Sequence, residues 1–183
     1  MSGDFKIETE RLIMREFNAD DVDGMVELNS DEEVIRYTGD KAFTDKQSLV
    51  NLMNGYDQYS KYKMGRWTVL LKSSGDYIGW CGLKYLSDIN ETDLEFRLMK
   101  KYWNKGYAIE SSVAVLNYGF DILKLDRIVG RAASENVRSI NVLQKLGMVF
   151  EKSFVAHLPC RQYEITQSAW YKQREKMQVL KMN

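Results

Sequence analysis

The sequence contains little cysteine, histidine or proline, and neither sign of charge is in excess. Its 183 residues include two cysteines (Cys81 and Cys160), one histidine (His157) and one proline. A disulfide framework or a structural zinc site needs more ligands than these, so we expect no metal site. Lysine plus arginine and aspartate plus glutamate both number 26, which gives a net charge of zero. Nucleic-acid binding through bulk charge would require a basic excess, so no nucleic-acid partner is expected.

Long apolar segments are also missing. None approaches the roughly 20 residues of a membrane-spanning helix, and residues 1–8 lack the apolar stretch of a signal peptide. Cys81 lies in a strand-like apolar run over residues 78–83, which favours a buried structural thiol, although a Cys–His nucleophilic pair stays formally open. We therefore expect a reduced, cytoplasmic protein with no membrane partner.

The composition that remains is typical of one globular domain. Apolar residues make up 44% and charged residues 28% of a chain long enough to bury a sizeable core. No repeat, low-complexity segment or linker divides the sequence. We predict a single domain over residues 1–183, with a core of about 9–172.

Hydrophobic periodicity predicts a mixed α/β order of elements. The first half gives a strand over residues 9–17, helices beginning near residue 22 and over about 45–62, a hairpin of strands 67–71 and 77–85, and a strand over about 93–99. The second half gives a helix over about 106–123, a strand over 126–132, a helix over 136–146, strands near 148–156 and 161–168, and a charged tail suited to a helix. In the strand over 93–99, alternation divides the side chains between two faces, with Leu94, Phe96 and Leu98 on one and Glu95, Arg97 and Met99 on the other.

The turn before the helix over 106–123 is the first candidate ligand site. The first N–H groups of a helix have no internal partners, and the helix dipole adds partial positive charge there. Gly106 would let the backbone approach a ligand closely, and Lys105 adds a full charge. These features suit a phosphate or pyrophosphate. The same pattern also occurs in purely structural connections, and the residues alone leave both interpretations open.

A second candidate element covers residues 136–147. Asn136 and Ser139 lie one helical turn apart, and Gly147 follows the end of the helix. An N-cap at Asn136 and a C′ glycine at Gly147 would by themselves account for this pattern.

Together, and in this order, residues 103–108 and 136–147 resemble the GNAT N-acetyltransferases, in particular the ribosomal-protein N-terminal acetyltransferase (Rim-type) branch. The similarity also includes residues 9–15, residues 31–37 and the strand at 78–79. It implies a GNAT fold, a twisted mixed sheet of about seven strands flanked by about four helices, with acetyl-CoA between the fourth and fifth strands. The implied contacts are Lys105, Gly106, Tyr107 and Ala108 for the pyrophosphate, Phe96, Arg97 and Leu98 for the pantetheine arm, and Asn136 and Ser139 near the thioester.

The sequence departs from the family pattern at three places. Asn104 stands where this branch usually has glycine, and Trp103 occupies an Arg/Gln position of the wider superfamily. The acidic residue often found between the last two strands is not evident around residues 161–163. The third departure means that the family's acceptor-site residues cannot be carried over to this chain.

Acetyl transfer to an amine needs a base for the amine and a proton donor for the leaving thiolate. Glu95 is the candidate base, acting through a water, with a solvated strand residue or a partner of Arg97 as the alternative. Ser139 is the candidate donor by resemblance, with helix capping as its alternative. Tyr102, Tyr107 and Tyr118 are further candidate donors.

The resemblance therefore implies direct transfer of an acetyl group from acetyl-CoA to a primary amine. An N-terminal α-amine of a protein is the leading acceptor, and a small-molecule amine is the second. Two rivals are a catalytically inactive CoA-binding module and an α/β protein that does not bind CoA. We expect a monomer or a homodimer.

Overall fold

The computed structural model describes residues 5–39, 42 and 46–182. The strands are β1 (Lys6–Glu8), β2 (Leu12–Arg15), β3 (Arg66–Leu71), β4 (Tyr77–Leu86), β5 (Glu91–Leu98), β6 (Arg127–Ala133), β7 (Val149–Val155) and β8 (Pro159–Thr166). The helices are α1 (Val22–Ser30), α2 (Glu32–Ile35), α3 (Lys46–Asn54), α4 (Gln58–Tyr62), α5 (Tyr107–Asn117), α6 (Val137–Lys145) and α7 (Gln167–Met182).

The eight strands of the described residues form a mixed sheet in the order β1-β2-β3-β4-β5-β6-β8-β7. Neighbouring strands are antiparallel except β5 and β6, which are parallel. The mixed α/β architecture is thus confirmed. The sheet has one strand more than the expected seven, because Lys6–Glu8 pairs with β2. Three residues are too few to show a period of two in the sequence.

Two helical segments differ from the sequence prediction. The helix expected over residues 45–62 is two helices, α3 and α4, with Gly55 after the first. Residue 45 itself lies outside the described residues. The four-residue helix α2 is shorter than one heptad and gives no helical periodicity to detect. The first predicted strand, 9–17, shortens to Leu12–Arg15.

Hydrogen bonds at the start of α1 connect this helix to β2 and β3. Asn18 and Asp21 form a capping box before the helix. Asp21 is buried and accepts two hydrogen bonds of 2.8 Å from the Arg15 guanidinium and one of 2.7 Å from the Thr68 hydroxyl. The carboxylate therefore joins β2, β3 and α1 through charge-assisted bonds that satisfy its buried charge.

The main core lies between one face of the sheet and α5, α6 and α7. Its largest fully buried side chains include Trp67, Phe120 and Trp170. Leu94 and Leu98 are buried in this core and Phe96 packs against it, whereas Met99 packs on the opposite face with Leu28 and Trp80. The two predicted faces of the strand over 93–99 are thereby confirmed for its apolar residues.

Later elements follow the predicted boundaries closely. α6 begins after Asn136 and ends before Gly147, whose φ of 85° is the left-handed conformation expected of a C′ glycine. The helix expected over 106–123 is α-helical to Asn117 and continues as a π-helical turn over Tyr118–Ile122. The C-terminal tail forms α7.

Substituting Gly82 with alanine should destabilise the fold. A Cβ at this position would lie 1.8 Å from the backbone carbonyl oxygen of Gly65, which cannot move without disturbing β3 and β4. We expect Gly82→Ala to lower the free energy of unfolding by roughly 1–3 kcal/mol, measured by urea denaturation. Gly55→Ala, whose Cβ would meet its nearest neighbour at 3.4 Å, is the matched control and should change it by less than half as much. Equal effects of the two substitutions would contradict this explanation.

Candidate active site

A cleft of about 500 Å³ opens where β5 and β6 separate. Among the described residues, these strands pair at one position, Asp93 with Val129, although β5 continues to Leu98 and β6 to Ala133. On its other edge β5 stays paired with β4 as far as Leu98. Phe96, Arg97 and Leu98 line the cleft, beyond the point at which β5 and β6 pair in the described residues. An extended ligand could pair with this segment of β5.

One end of the cleft is the start of α5. No described side chain caps this helix, and Gly106, Tyr107 and Ala108 line the cleft. The first N–H groups of α5 are therefore available to an anion. Lys105, which was expected to contact the pyrophosphate, is not among the residues that line the cleft, and its carbonyl accepts a hydrogen bond from Arg11.

The loop before α5 contains two residues in the left-handed conformation. Gly106 has a φ of 83° and Asn104 a φ of 59°. Asparagine tolerates this region better than most residues, which explains how Asn104 can replace the usual glycine. The Trp103 indole N–H donates to the Leu98 carbonyl at 2.7 Å and fixes the loop against the end of β5.

The start of α6 faces α5 across the cleft. The Asn136 Oδ1 accepts the Ser139 backbone N–H at 3.2 Å, which confirms the capping role. Asn136 and Ser139 also line the cleft. No hydrogen bond within the described part of the chain uses the Asn136 side-chain NH₂ or the Ser139 hydroxyl, so both remain able to bond a ligand.

Arg138 and Lys145 also line the cleft and were missed by the sequence analysis. The Arg138 guanidinium lies 5.0 Å from the centre of the Trp103 ring, a cation–π contact that holds it at the cleft wall. Positions 138, 142 and 145 recur at steps of four and three, which places them on one face of a helix. That spacing was the available signal for a basic wall opposite the start of α5.

Comparison with known proteins agrees with this geometry. A family model described as an acetyltransferase (GNAT) domain matches residues 11–149. The chain belongs to the GNAT acetyltransferases. Over 156 residues it is 33% identical to the uncharacterized N-acetyltransferase YnaD of Bacillus subtilis (strain 168), which covers 84% of this chain and 88% of YnaD.

Solved structures show the same GNAT fold. The crystal structure of a GNAT-family acetyltransferase from Bacillus anthracis matches with a TM-score of 0.77 at 29% identity, covering 90% of this chain and 99% of that one. A spermidine N-acetyltransferase from Vibrio cholerae, solved in complex with CoA and spermine, matches with a TM-score of 0.74 at 20% identity, covering 89% and 99%. This second likeness shows the fold alone.

In this GNAT chain the candidate base Glu95 lies outside the residues that line the cleft. Its carboxylate accepts a 2.6 Å hydrogen bond from Arg66 Nε, and the Arg66 guanidinium lies 4.5 Å from the centre of the Trp80 ring. Arg66 thus provides the ion pair that the sequence analysis had considered for Arg97. The Arg97 guanidinium instead donates to the Asn29 side-chain oxygen.

The three candidate phenols divide into two groups. Tyr102 and Tyr107 line the cleft. Burial raises the pKa of Tyr102, and the negative charge of Asp76 and a hydrogen bond with its side chain raise it further, so the phenol stays protonated. Tyr118 instead donates to the Lys63 carbonyl at 2.6 Å and packs on Trp67, so it is committed elsewhere.

Cys81 is buried and unsuited to covalent catalysis. It is 0% exposed, its Sγ lies 3.7 Å from the Ser112 hydroxyl, and burial raises the pKa of the thiol to about 11. The expectation of a structural thiol is confirmed. Within the described ranges no cluster of three or more His, Cys, Asp or Glu side chains could hold a metal ion. None of the helices over those ranges is long and apolar enough to cross a membrane.

Asp93, at the point where β5 and β6 separate, was not found by sequence analysis. Its side chain is buried, and its Oδ1 and the buried Nε of Arg131 have no hydrogen-bond partner among the described residues. Burial raises the pKa of Asp93 well above its usual range, and the nearby Glu95 carboxylate raises it further. A buried acid without a full set of partners destabilises the fold when it is ionised.

Replacing Asp93 with asparagine should change how stability depends on pH. Because the folded state raises the pKa of Asp93, it binds more protons than the unfolded state above about pH 4. The stabilisation from the protonated form is complete below that pH and is lost as the pH rises. We therefore expect Asp93→Asn to gain stability over the original protein as the pH increases from 4 to 8, measured by urea denaturation.

The matched control is Asp57→Asn. Asp57 is exposed, and its hydrogen bond with Lys61 lowers its pKa, so the sign is reversed. This variant should lose stability relative to the original protein as the pH rises to about 5, and the difference should then stay constant up to pH 8. A stability difference for Asp93→Asn that is constant between pH 4 and 8 would show that Asp93 keeps an ordinary pKa.

Proposed function

We propose that this protein is an acetyltransferase that moves the acetyl group of acetyl-CoA directly to a primary amine. The observation that carries this proposal is the cleft between β5 and β6. It combines the segment of β5 at Phe96–Leu98, where β6 has separated from the strand, with the uncapped start of α5 at Gly106 and with free donors at Asn136 and Ser139. A long ligand with an anionic centre and an amide-rich arm fits this arrangement.

The residues present fit acetyl-CoA from one end of the cleft to the other. The N–H groups at Gly106, Tyr107 and Ala108 would hold the pyrophosphate, with the Arg138 guanidinium close by as a second source of positive charge. The edge of β5 would hold the amides of the pantetheine arm. The Asn136 NH₂ would donate to a carbonyl of the arm or of the acetyl group. Acetyl-CoA would supply the acetyl group in activated form, as a thioester.

Groups of the protein would then take a proton from the amine and donate one to the leaving thiolate. The amine must be neutral to attack, so a base must take its proton, and we assign this role to Glu95 acting through a water. The leaving thiolate must be stabilised, and we assign this role to the Ser139 hydroxyl. Ser139 lies in the first turn of α6, where the helix dipole favours negative charge. Tyr102 and Tyr107 are the alternative donors because they line the same cleft.

An N-terminal α-amine is the acceptor that these groups suit best. Its pKa is roughly 7.7 to 8.0, whereas a lysine ammonium titrates at roughly 10.4, so an α-amine is far more often neutral near pH 7. Glu95 is engaged by Arg66 and does not line the cleft, which suits an acceptor that needs little help from a base. Small-molecule amines are the second candidate, and we would screen N-terminal peptides against spermidine to separate them.

Thermal unfolding should reveal the cosubstrate. A ligand present at 100 times its dissociation constant stabilises the folded state by about 2.7 kcal/mol. We expect saturating acetyl-CoA and free CoA to raise the melting temperature, and ATP to leave it unchanged. No shift with either CoA compound would overturn the proposed function. A shift without acetylation of any amine in the screen would identify the protein as an inactive CoA-binding module.

Replacing Ser139 with alanine should lower turnover without weakening the helix. The cap bond uses the backbone N–H of Ser139, which alanine retains, so stability should be preserved. We expect kcat to fall roughly 100-fold, the scale of a lost proton donor, with little change in KM for acetyl-CoA. Ser60→Ala, which removes an exposed serine on α4, is the control. An unchanged kcat would transfer the donor role to Tyr102 or Tyr107, each testable as a phenylalanine variant.

A further inference from the structure

A hydrogen-bonded cluster joins the start of β2 to the first turn of α5. The Glu110 carboxylate accepts three bonds from residues about 100 positions earlier in the chain. The Thr9 hydroxyl donates at 2.6 Å, the Arg11 backbone N–H at 2.8 Å and the Arg11 Nε at 2.6 Å. The Glu110 side chain is only 16% exposed, so this is a well-formed contact and not a loose surface ion pair.

The same arginine side chain also covers the outer side of the loop before α5. Its Nη1 donates to the Lys105 carbonyl at 3.0 Å, and its guanidinium carbon lies 4.4 Å from the centre of the Tyr107 ring. An ideal Cβ built on Gly106 would lie 3.2 Å from the Arg11 Nη2. Arg11 therefore contacts three consecutive residues of the loop.

These contacts have two electrostatic consequences for an anion in the cleft. First, the hydrogen bond from Arg11 holds the Lys105 carbonyl, so this oxygen cannot turn toward a phosphate and repel it. Second, Glu110 carries negative charge near the helix start that would bind the phosphate. Burial alone would raise the pKa of Glu110, but hydrogen bonds from Thr9 and Arg11 lower it overall, so the carboxylate stays ionised and its charge is balanced by Arg11.

We propose that Arg11 and Glu110 are positioning residues that hold the loop over residues 103–108 in the conformation that binds the CoA diphosphate. Arg11 contacts the loop through the Lys105 carbonyl and does not line the cleft, whereas Gly106 and Tyr107 do. Both residues act through the loop backbone and neither contacts the cosubstrate. This inference rests on the proposed function, because it assumes that the anion in the cleft belongs to CoA.

The test compares acetyl-CoA with an acetyl donor that lacks the diphosphate. S-acetylpantetheine carries the same thioester and arm as acetyl-CoA but no diphosphate, so the loop before α5 has nothing to bind. For Arg11→Gln we expect KM for acetyl-CoA and the dissociation constant of CoA to rise roughly tenfold, the effect of about one hydrogen bond. Both kcat with acetyl-CoA and kcat/KM with S-acetylpantetheine should be unchanged.

The matched control is Arg174→Gln on α7. Arg174 also donates to a carboxylate at 2.6 Å, that of Asp121, and lies over a tyrosine ring at 4.9 Å. It is similarly exposed but lies outside the loop before α5. The control should lose a similar amount of stability, and its kinetic constants with acetyl-CoA and with S-acetylpantetheine should be unchanged. If Arg11→Gln fails to fold, Arg11→Lys keeps the charge but cannot serve Glu110 and the Lys105 carbonyl together, and it should show the same selective loss.

The variant Glu110→Gln tests whether Glu110 positions the loop through Arg11 or only repels the diphosphate by its charge. If Glu110 holds the loop through Arg11, this variant should bind CoA more weakly than the original protein. The double variant, with Arg11→Gln and Glu110→Gln together, should bind CoA no more weakly than the single variant with the larger loss. If Glu110 only repels the diphosphate, Glu110→Gln should bind CoA more tightly, which would overturn the proposal. The proposal would also be overturned if Arg11→Gln lowered kcat/KM equally with acetyl-CoA and with S-acetylpantetheine, or lowered it with neither. In that case, CoA binding by the original protein would still support the proposed function. Failure of the original protein to bind CoA would overturn both.

Discussion

The separation of β5 from β6 is the constraint on which the rest of the site depends. Two parallel strands that meet at Asp93 and Val129 leave backbone N–H and C=O groups on both sides of the gap without ladder partners in the described residues. Buried backbone groups must find partners elsewhere. A ligand with its own amides can provide them, and this is why the incomplete sheet supports the binding site that we propose. The buried Asp93 side chain lies at the point where this incompleteness begins.

The electrostatics of the cleft are local and do not appear in the total charge. The net charge of zero gives no sign of an anion site, yet residues at the N-terminal ends of α5 and α6 line the cleft. Helix dipoles act mainly within the first turn, so they create a favourable position for an anion without changing the net charge. Arg138 adds a full positive charge beside them, while Glu110, the acidic residue at the start of α5, is balanced by Arg11.

The sequence predicted features that depend on neighbouring residues, and missed those that depend on distant ones. The cap at Asn136, the glycine at Gly147 and the two faces of β5 follow from local chemistry, and the structure confirms them. The pairing of Glu95 with Arg66 and the burial of Asp93 beside Arg131 depend on strands brought together by the sheet. No periodicity in one segment carries that information. The short elements β1 and α2 were missed for a different reason, since they contain too few residues to show a pattern.

The single pair between β5 and β6 also has a mechanical consequence. Within the described ranges the sheet has two parts, β1–β5 and β6–β8, which pair at Asp93 and Val129 and share a core with the helices packed across their common face. A connection made by side-chain packing deforms more readily than a continuous strand ladder. A ligand that bonds both to the edge of β5 and to α6, the helix after β6, would connect the two parts of the sheet. The protein should therefore be stiffer when its cleft is filled.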